Sequence, residues 1–128
     1  MPAPQLHKHN INQERAKAAW TYANRPSKKG NNYSGNTKKL PTYVVNTGIL
    51  NTIAFAYNKG DWKQLYEDIQ DWLLKEPQEL IKHKLEANAS KGNRALIETL
   101  LELNDNELRQ VKSEVLALFT WLRRFVKD

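Results

Sequence analysis

Basic side chains are concentrated in the first third of the chain, where acidic ones are almost absent. Residues 1–40 carry eight Lys or Arg and one acid, Glu14, whereas residues 41–128 carry twelve basic and thirteen acidic side chains. The densest part is RPSKKGNNYSGNTKK, residues 25–39, which contains no acid. Cationic groups release condensed counterions when they neutralise phosphates, so this asymmetry indicates a polyanionic partner, most often a nucleic acid. The alternative is that the basic segment only keeps the protein soluble.

Tyrosines interleave with these cations, a combination suited to single-stranded nucleic acid. An aromatic ring can stack on an unpaired base, and this contact contributes roughly 1 to 3 kcal/mol. Tyr22 and Tyr33 are placed for such contacts, although ordinary packing in the core is the alternative for both. We expect nucleic-acid contacts from eight residues: Arg15, Lys17, Tyr22, Arg25, Lys28, Lys29, Lys38 and Lys39.

Residues capable of catalysis or metal binding show no working arrangement. The chain lacks cysteine, and His7 and His9 stand in a terminal tail without matching carboxylates, so we expect no metal site. It also lacks a glycine-rich phosphate loop, a nucleophile elbow and an HExxH motif. Three clustered carboxylates could do acid–base chemistry, but we expect them on a solvated helix face: Glu67, Asp68 and Asp71. The sequence thus predicts neither an enzyme nor a cofactor.

The elements that position these residues are all predicted to be helices. Apolar residues recur at helical spacing, and no stretch alternates as a strand does. A first helix, capped by Asn10 or Asn12, ends before Pro26. A basic loop at 26–39 leads to further helices at about 40–58, 61–76, 78–87, 95–103 and 105–126. This predicts one all-α domain over residues 1–128, a bundle of five to seven helices with a flexible tail at 1–10.

Local signals refine this prediction. Gly48 inside a helix indicates the close approach of a neighbouring backbone. Asp61 with Gln64 resembles a capping box, and Asp105 is a candidate cap for the last helix. On the first helix, four residues at helical spacing are expected to face the core: Ala16, Ala19, Trp20 and Ala23.

The last helix has the clearest pattern, and its border residues suggest a contact surface. Its apolar stripe runs from Leu108 to Val126. Trp121 lies at the edge of that stripe, and Leu116 and Ala117 lie outside it. We therefore expect these three residues to contact a neighbouring subunit, while Trp121 has the alternative role of anchoring the edge of the core.

The remaining sequence signals concern location and one competing binding mode. The lack of cysteine suits the reducing cytoplasm, and residues 1–10 lack the apolar stretch of a signal peptide. The most apolar segment, residues 40–57, is interrupted by Thr, Asn and Gly, so we expect no membrane span.

A DNA-binding helix-turn-helix is disfavoured, because its recognition helix at 61–76 would be acidic and repel phosphate.

Two segments resemble a known family. KKLPTYVVNTGILNTIAF, residues 38–55, is similar to a motif of a basic pair, Leu-Pro, a spacer, Gly-Leu, and Thr-Leu-Ala-Phe, with isoleucine at two leucine positions. SEVLALFTWLRRFVKD, residues 113–128, resembles the C-terminal signature of the same family, carried here by Glu114, Trp121, Leu122, Arg123, Arg124 and Phe125. The family is the small all-helical subunit of the type III-B CRISPR-Cas RNA-targeting complex, the Cmr complex.

This resemblance implies a non-catalytic subunit that binds other subunits of a CRISPR effector complex. It further implies that several copies stack into a short filament along the backbone subunits and line the path of guide and target RNA. The basic loop would then lie against phosphates and bind them independently of sequence. Two alternatives remain: the small subunit of a type III-A complex, and a helical adaptor that binds only protein.

Overall fold

The computed structural model of the chain describes residues 10–26 and 32–127. Its α-helices are α1 (Ile11–Ala23), α2 (Tyr33–Thr47), α3 (Ile49–Asn58), α4 (Lys63–Lys75), α5 (Lys82–Ala87), α6 (Ala95–Leu101) and α7 (Asp105–Phe125). Single 3₁₀ segments at Gly60–Trp62 and Ala89–Arg94 precede α4 and α6. The described residues contain no strand. The predicted all-α bundle is confirmed.

Helix α7 forms the centre of the bundle, because α1, α2 and α3 all pack against it. Its predicted apolar stripe is confirmed in the middle of the helix. The middle of the stripe is completely buried: Val111, Val115, Leu118, Phe119 and Leu122. Burial of each such side chain contributes roughly 1.5 to 3 kcal/mol, so this helix supplies a large share of the stabilising apolar contact.

Helices α1 and α7 both begin with reciprocal capping boxes. The side chain of Asn10 accepts a hydrogen bond from the Gln13 amide at 2.8 Å, and the Gln13 side chain accepts one from the Asn10 amide at 3.0 Å. Asn104 and Glu107 repeat this arrangement at the start of α7. Asn10 is therefore the cap of α1, whereas the expectation of Asp105 for α7 is wrong by one residue.

The predicted basic loop at 26–39 is wrong in its second half, because α2 already begins at Tyr33. Polar side chains on the buried face of this segment hid the helical pattern. Asn36 is buried and donates a hydrogen bond to the carbonyl oxygen of Asp61 at 2.9 Å. Thr37 is buried as well, and its hydroxyl donates to the Tyr33 carbonyl at 2.8 Å. Tertiary packing and these hydrogen bonds stabilise the first turns of α2 where apolar periodicity is absent.

The long helix expected at 40–58 is in fact two helices that meet at Gly48. This glycine has a φ of +91°, a left-handed conformation that strains residues with a Cβ atom. The expected close approach of a neighbouring backbone is wrong, since a Cβ added here would meet no atom within 4 Å. The glycine is needed for the chain direction between α2 and α3.

Two further local predictions are also wrong. Trp20 was expected in the core, but 56% of its surface is exposed, whereas its neighbour Ala19 is fully buried. The capping box expected from Asp61 and Gln64 is absent, because a 3₁₀ turn carries Asp61 and α4 starts at Lys63 without a side-chain cap. Among the described helices, none combines the length and apolar character needed to cross a bilayer.

Candidate nucleic-acid interface

Arg15 points from α1 toward α7 and forms an ion pair there with Glu114. Its Nε and Nη2 atoms donate to the two carboxylate oxygens, each at 2.8 Å. The indole Nε1 of Trp72 donates to the same carboxylate at 2.9 Å, and the Glu114 side chain is only 2% exposed. This hydrogen-bonded pairing raises the pKa of Arg15, so the guanidinium stays charged. Arg15 thus connects α1 to α7 inside the protein.

Arg25 and Tyr33 bind one shared carboxylate, that of Asp68 on α4. The guanidinium of Arg25 donates to both Asp68 oxygens, at 2.8 and 2.7 Å. The Tyr33 hydroxyl donates to Oδ2 at 2.6 Å, and Gln64 donates to Oδ1 at 3.3 Å. The guanidinium also lies 5.7 Å from the centre of the Tyr33 ring. We call Arg25, Tyr33, Gln64 and Asp68 the Asp68 cluster.

Tyr22 is buried, and its hydroxyl donates to the neighbouring acid Asp71 at 2.5 Å. Lys75 pairs with that carboxylate at 3.0 Å and also lies over the Tyr22 ring. Burial, followed by the nearby carboxylates, raises the pKa of Tyr22 and Tyr33 far above the usual range. Both phenols therefore remain protonated donors at physiological pH. Tyr22 therefore packs in the core, which is the alternative to base stacking given above for both tyrosines.

These contacts correct the prediction that the α4 carboxylates form a solvated face. Asp68 is buried, and Asp71 is half-exposed but bonded to Tyr22 and Lys75. The spacing contained the signal, since Asp68 follows Leu65 by three residues and precedes Trp72 by four, which places it on the apolar face. Glu114 likewise lies among Val111, Val115 and Leu118 on α7 and is buried with them. Buried carboxylates of this kind require paired cations.

The predicted contacts thus divide into two groups. Arg15, Tyr22 and Arg25 are engaged within the fold, as described above. Lys17 on α1 and Lys38 and Lys39 on α2 have exposed side chains. Lys28 and Lys29 lie outside the described residues, as do His7 and His9. His83 is exposed and has Glu86 at 3.7 Å as its neighbour.

Lys38 and Lys39 owe their orientation to the residues on either side of them. Thr37 and Leu40 are completely buried, so the two intervening lysines must project from the opposite side of α2. The Asp68 cluster fixes the start of the same helix through Tyr33, and it also holds Arg25 at the end of α1. Residues on both sides of segment 27–31 are therefore held against one carboxylate. The exposed lysines, together with the helix ends that the Asp68 cluster holds, form the candidate interface.

The three residues predicted to contact a neighbouring subunit lie partly exposed on α7. Leu116 and Trp121 pack in part against the core, and Ala117 is half-exposed. The indole Nε1 of Trp121 donates to the side chain of Asn12 at 3.1 Å. The Trp121 ring stacks on Phe125, with centroids 6.0 Å apart. Trp121 therefore anchors the edge of the core, and part of its surface is exposed to solvent.

Comparison with known proteins gives one match. A model of the family described as CRISPR-associated protein (Cas_Cmr5) matches residues 11–128. This range includes all seven α-helices and both segments that carry the resemblance found in the sequence. No curated protein and no solved structure matches the chain significantly.

Proposed function

Because the chain belongs to the Cas_Cmr5 family of CRISPR-associated proteins, we propose that it is a non-catalytic structural subunit of a type III-B RNA-targeting complex. In this proposal several copies stack along the backbone subunits in the cytoplasm and line the path of guide and target RNA. The observation that carries the RNA contact is the pair of exposed lysines, Lys38 and Lys39, projecting from a helix that the Asp68 cluster anchors.

Electrostatics support a weak, sequence-independent contact from each copy. The charges of Arg15 and Arg25 are balanced by Glu114 and Asp68, so they add little attraction for phosphate. We assign the contact to the five lysines of the predicted set, of which Lys17, Lys38 and Lys39 have exposed side chains: Lys17, Lys28, Lys29, Lys38 and Lys39. One copy offers few contacts, and stacked copies would add theirs at high effective concentration.

Replacing Lys28, Lys29, Lys38 and Lys39 together by alanine is expected to weaken RNA binding to a similar degree for unrelated sequences. Each lost phosphate contact should reduce the slope of log affinity against log salt by about 0.7 to 0.9. The measurement is a salt titration of RNA binding, made with the isolated subunit and with the assembled complex. Helical circular dichroism should be unchanged, because neither described lysine is buried.

A matched control removes the same charge elsewhere: Lys59, Lys63, Arg109 and Lys112, all exposed or half-exposed outside the N-terminal third. If both quadruple variants lose affinity equally, the contact is diffuse charge rather than the proposed surface. If the first variant retains wild-type affinity and salt slope in both settings, the protein-binding adaptor replaces the RNA-lining role. Copurification with the other Cmr subunits tests membership of the complex separately.

We also propose that the outer face of α7, bordered by Leu116, Ala117 and Trp121, contacts a neighbouring subunit. Ala117→Arg should lower the unfolding free energy by no more than about 1 kcal/mol, because Ala117 is only partly buried and the long arginine side chain can extend into solvent. The same change should prevent copurification with the complex, since a buried unpaired cation at an interface is costly. Ser90→Arg, an exposed position before α6, is the control and should assemble normally. Normal assembly of Ala117→Arg would exclude this face.

A further inference from the structure

An exposed tryptophan stands on α1, next to the end of α7. Trp20 is 56% exposed, whereas its neighbour Ala19 is fully buried. It makes an edge-to-face contact with Phe125, with centroids 5.2 Å apart and planes at 89°. Phe125 is stacked in turn on Trp121. The three rings form a continuous row with Trp20 at its most exposed end; we call it the aromatic row.

More than half of the Trp20 surface takes no part in packing. The buried side chains of α1 include Ala18 and Ala19, and the ion pair of Arg15 with Glu114 joins α1 to α7. A contiguous apolar patch with a polar rim marks an interaction site, so the row of three rings points to a ligand that covers its exposed end. Phe125 holds the ring in place from one side.

The charges around the aromatic row are positive. Lys17 precedes Trp20 by three residues, which places both on one face of α1. The guanidinium of Arg124 lies 5.9 Å from the centre of the Trp121 ring, and Lys127 follows Phe125 by two residues. None of these three cations forms an ion pair with an acid of the described residues. Glu14 is the one carboxylate on α1.

We propose that Trp20, supported by Phe125, is a stacking site for an unpaired base of single-stranded RNA, whose flanking phosphates are neutralised by Lys17, Arg124 and Lys127. This inference rests on the proposed function and adds to it a base contact on a different surface from the α2 lysines. An aromatic face beside cations is the arrangement that binds single strands without reading their sequence. A protein partner would need an acidic surface here to offset the three cations, so the charges favour RNA.

The proposal is tested with two RNA analogues of equal length and charge, a short oligouridylate and its abasic counterpart. Electrostatic contacts act on both, whereas stacking acts only on the oligouridylate. The wild-type protein should prefer the oligouridylate. Trp20→Leu, which keeps an apolar side chain without an aromatic face, should lower affinity for it by about 5- to 100-fold and leave the abasic affinity nearly unchanged. Thermal unfolding should stay close to wild type, since Trp20 lies outside the core.

The matched control is Tyr57→Leu, which removes a partly exposed ring on α3 and should not alter binding of either RNA. Equal binding of both RNAs by wild type and Trp20→Leu, measured with the subunit and with the complex, overturns the stacking site and leaves the proposed lysine contact standing. Loss of complex assembly by Trp20→Leu with unchanged RNA affinity overturns it in favour of a protein interface. Binding of neither RNA in either setting overturns this inference together with the RNA-lining role.

Discussion

Replacing Glu114 by glutamine is expected to lower the free energy of unfolding by about 3 kcal/mol. The substitution keeps the size of the side chain but leaves the charge of Arg15 unbalanced in a site where the arginine side chain is only 15% exposed. Removal of one partner from a buried pair typically costs roughly 3 to 5 kcal/mol, and glutamine retains one oxygen for the Trp72 indole. Chemical denaturation monitored by circular dichroism measures this loss.

The control for this experiment is a surface pair of the same chemistry. Lys84 and Glu107 are separated by 2.9 Å, with side chains 46% and 25% exposed. Glu107→Gln should therefore lower stability far less than Glu114→Gln does, because solvent screens this ion pair, with a small additional effect on the α7 cap. If both glutamine variants are equally stable, Glu114 does not stabilise the contact between α1 and α7 through its charge.

Replacing both partners separates the two contributions to the Glu114 effect. Arg15→Met with Glu114→Gln removes the uncompensated cation, so the double variant should recover part of the stability lost by Glu114→Gln alone. A strictly additive loss would mean that the two side chains do not interact.

Much of the helical core was predictable because its residues are apolar and regularly spaced. The α7 stripe and the apolar face of α4 were both located in this way, and their central residues are buried. The start of α2 was missed for the opposite reason. Asn36 and Thr37 occupy buried positions there, and their hydrogen-bond partners come from Asp61 and from the helix itself. Local periodicity cannot reveal a buried face made of polar residues.

The candidate interface shows a second limit of sequence reasoning. The excess of basic residues directed the prediction to α1 and α2, but a count of charges does not show which charges are already paired. Glu114 is 99 positions from its partner Arg15, and Asp68 is 43 positions from Arg25. Only the tertiary fold brings these groups together, so no local spacing could assign them.

Several residues that carry the family resemblance have visible structural roles. Glu114 binds Arg15, and Gly48 turns the chain between α2 and α3. Leu40 is completely buried, whereas the lysine pair before it is exposed. These roles give the two motifs a physical basis in stability and chain direction. Lys38 and Lys39 of the first motif, like Arg123 and Arg124 of the second, have exposed side chains.

Asp68→Ala is expected to lower the free energy of unfolding by about 2 to 3 kcal/mol. It removes the acceptor shared by Arg25, Tyr33 and Gln64. The loss should be smaller than the upper range for buried pairs, because the Arg25 side chain is 33% exposed and water can solvate it. The Tyr33 hydroxyl, by contrast, loses its acceptor in a partly buried site. Glu67→Ala, one residue earlier on the less buried side of α4, is the control and should change stability little.

The effect of Asp68→Ala should also be local, because the Asp68 cluster holds the end of α1 and the start of α2. Amide hydrogen exchange of α2 residues 36–40 should accelerate more than that of α7 residues 111–119, whose packing does not involve Asp68. Asp68→Asn distinguishes the charge from the acceptor, since the amide oxygen can still accept from Tyr33 while the ion pair with Arg25 is lost. Protection near wild type in Asp68→Asn would assign the anchoring of α2 to the tyrosine hydrogen bond. Unchanged exchange in both variants would show that Asp68 does not position the helix from which Lys38 and Lys39 project.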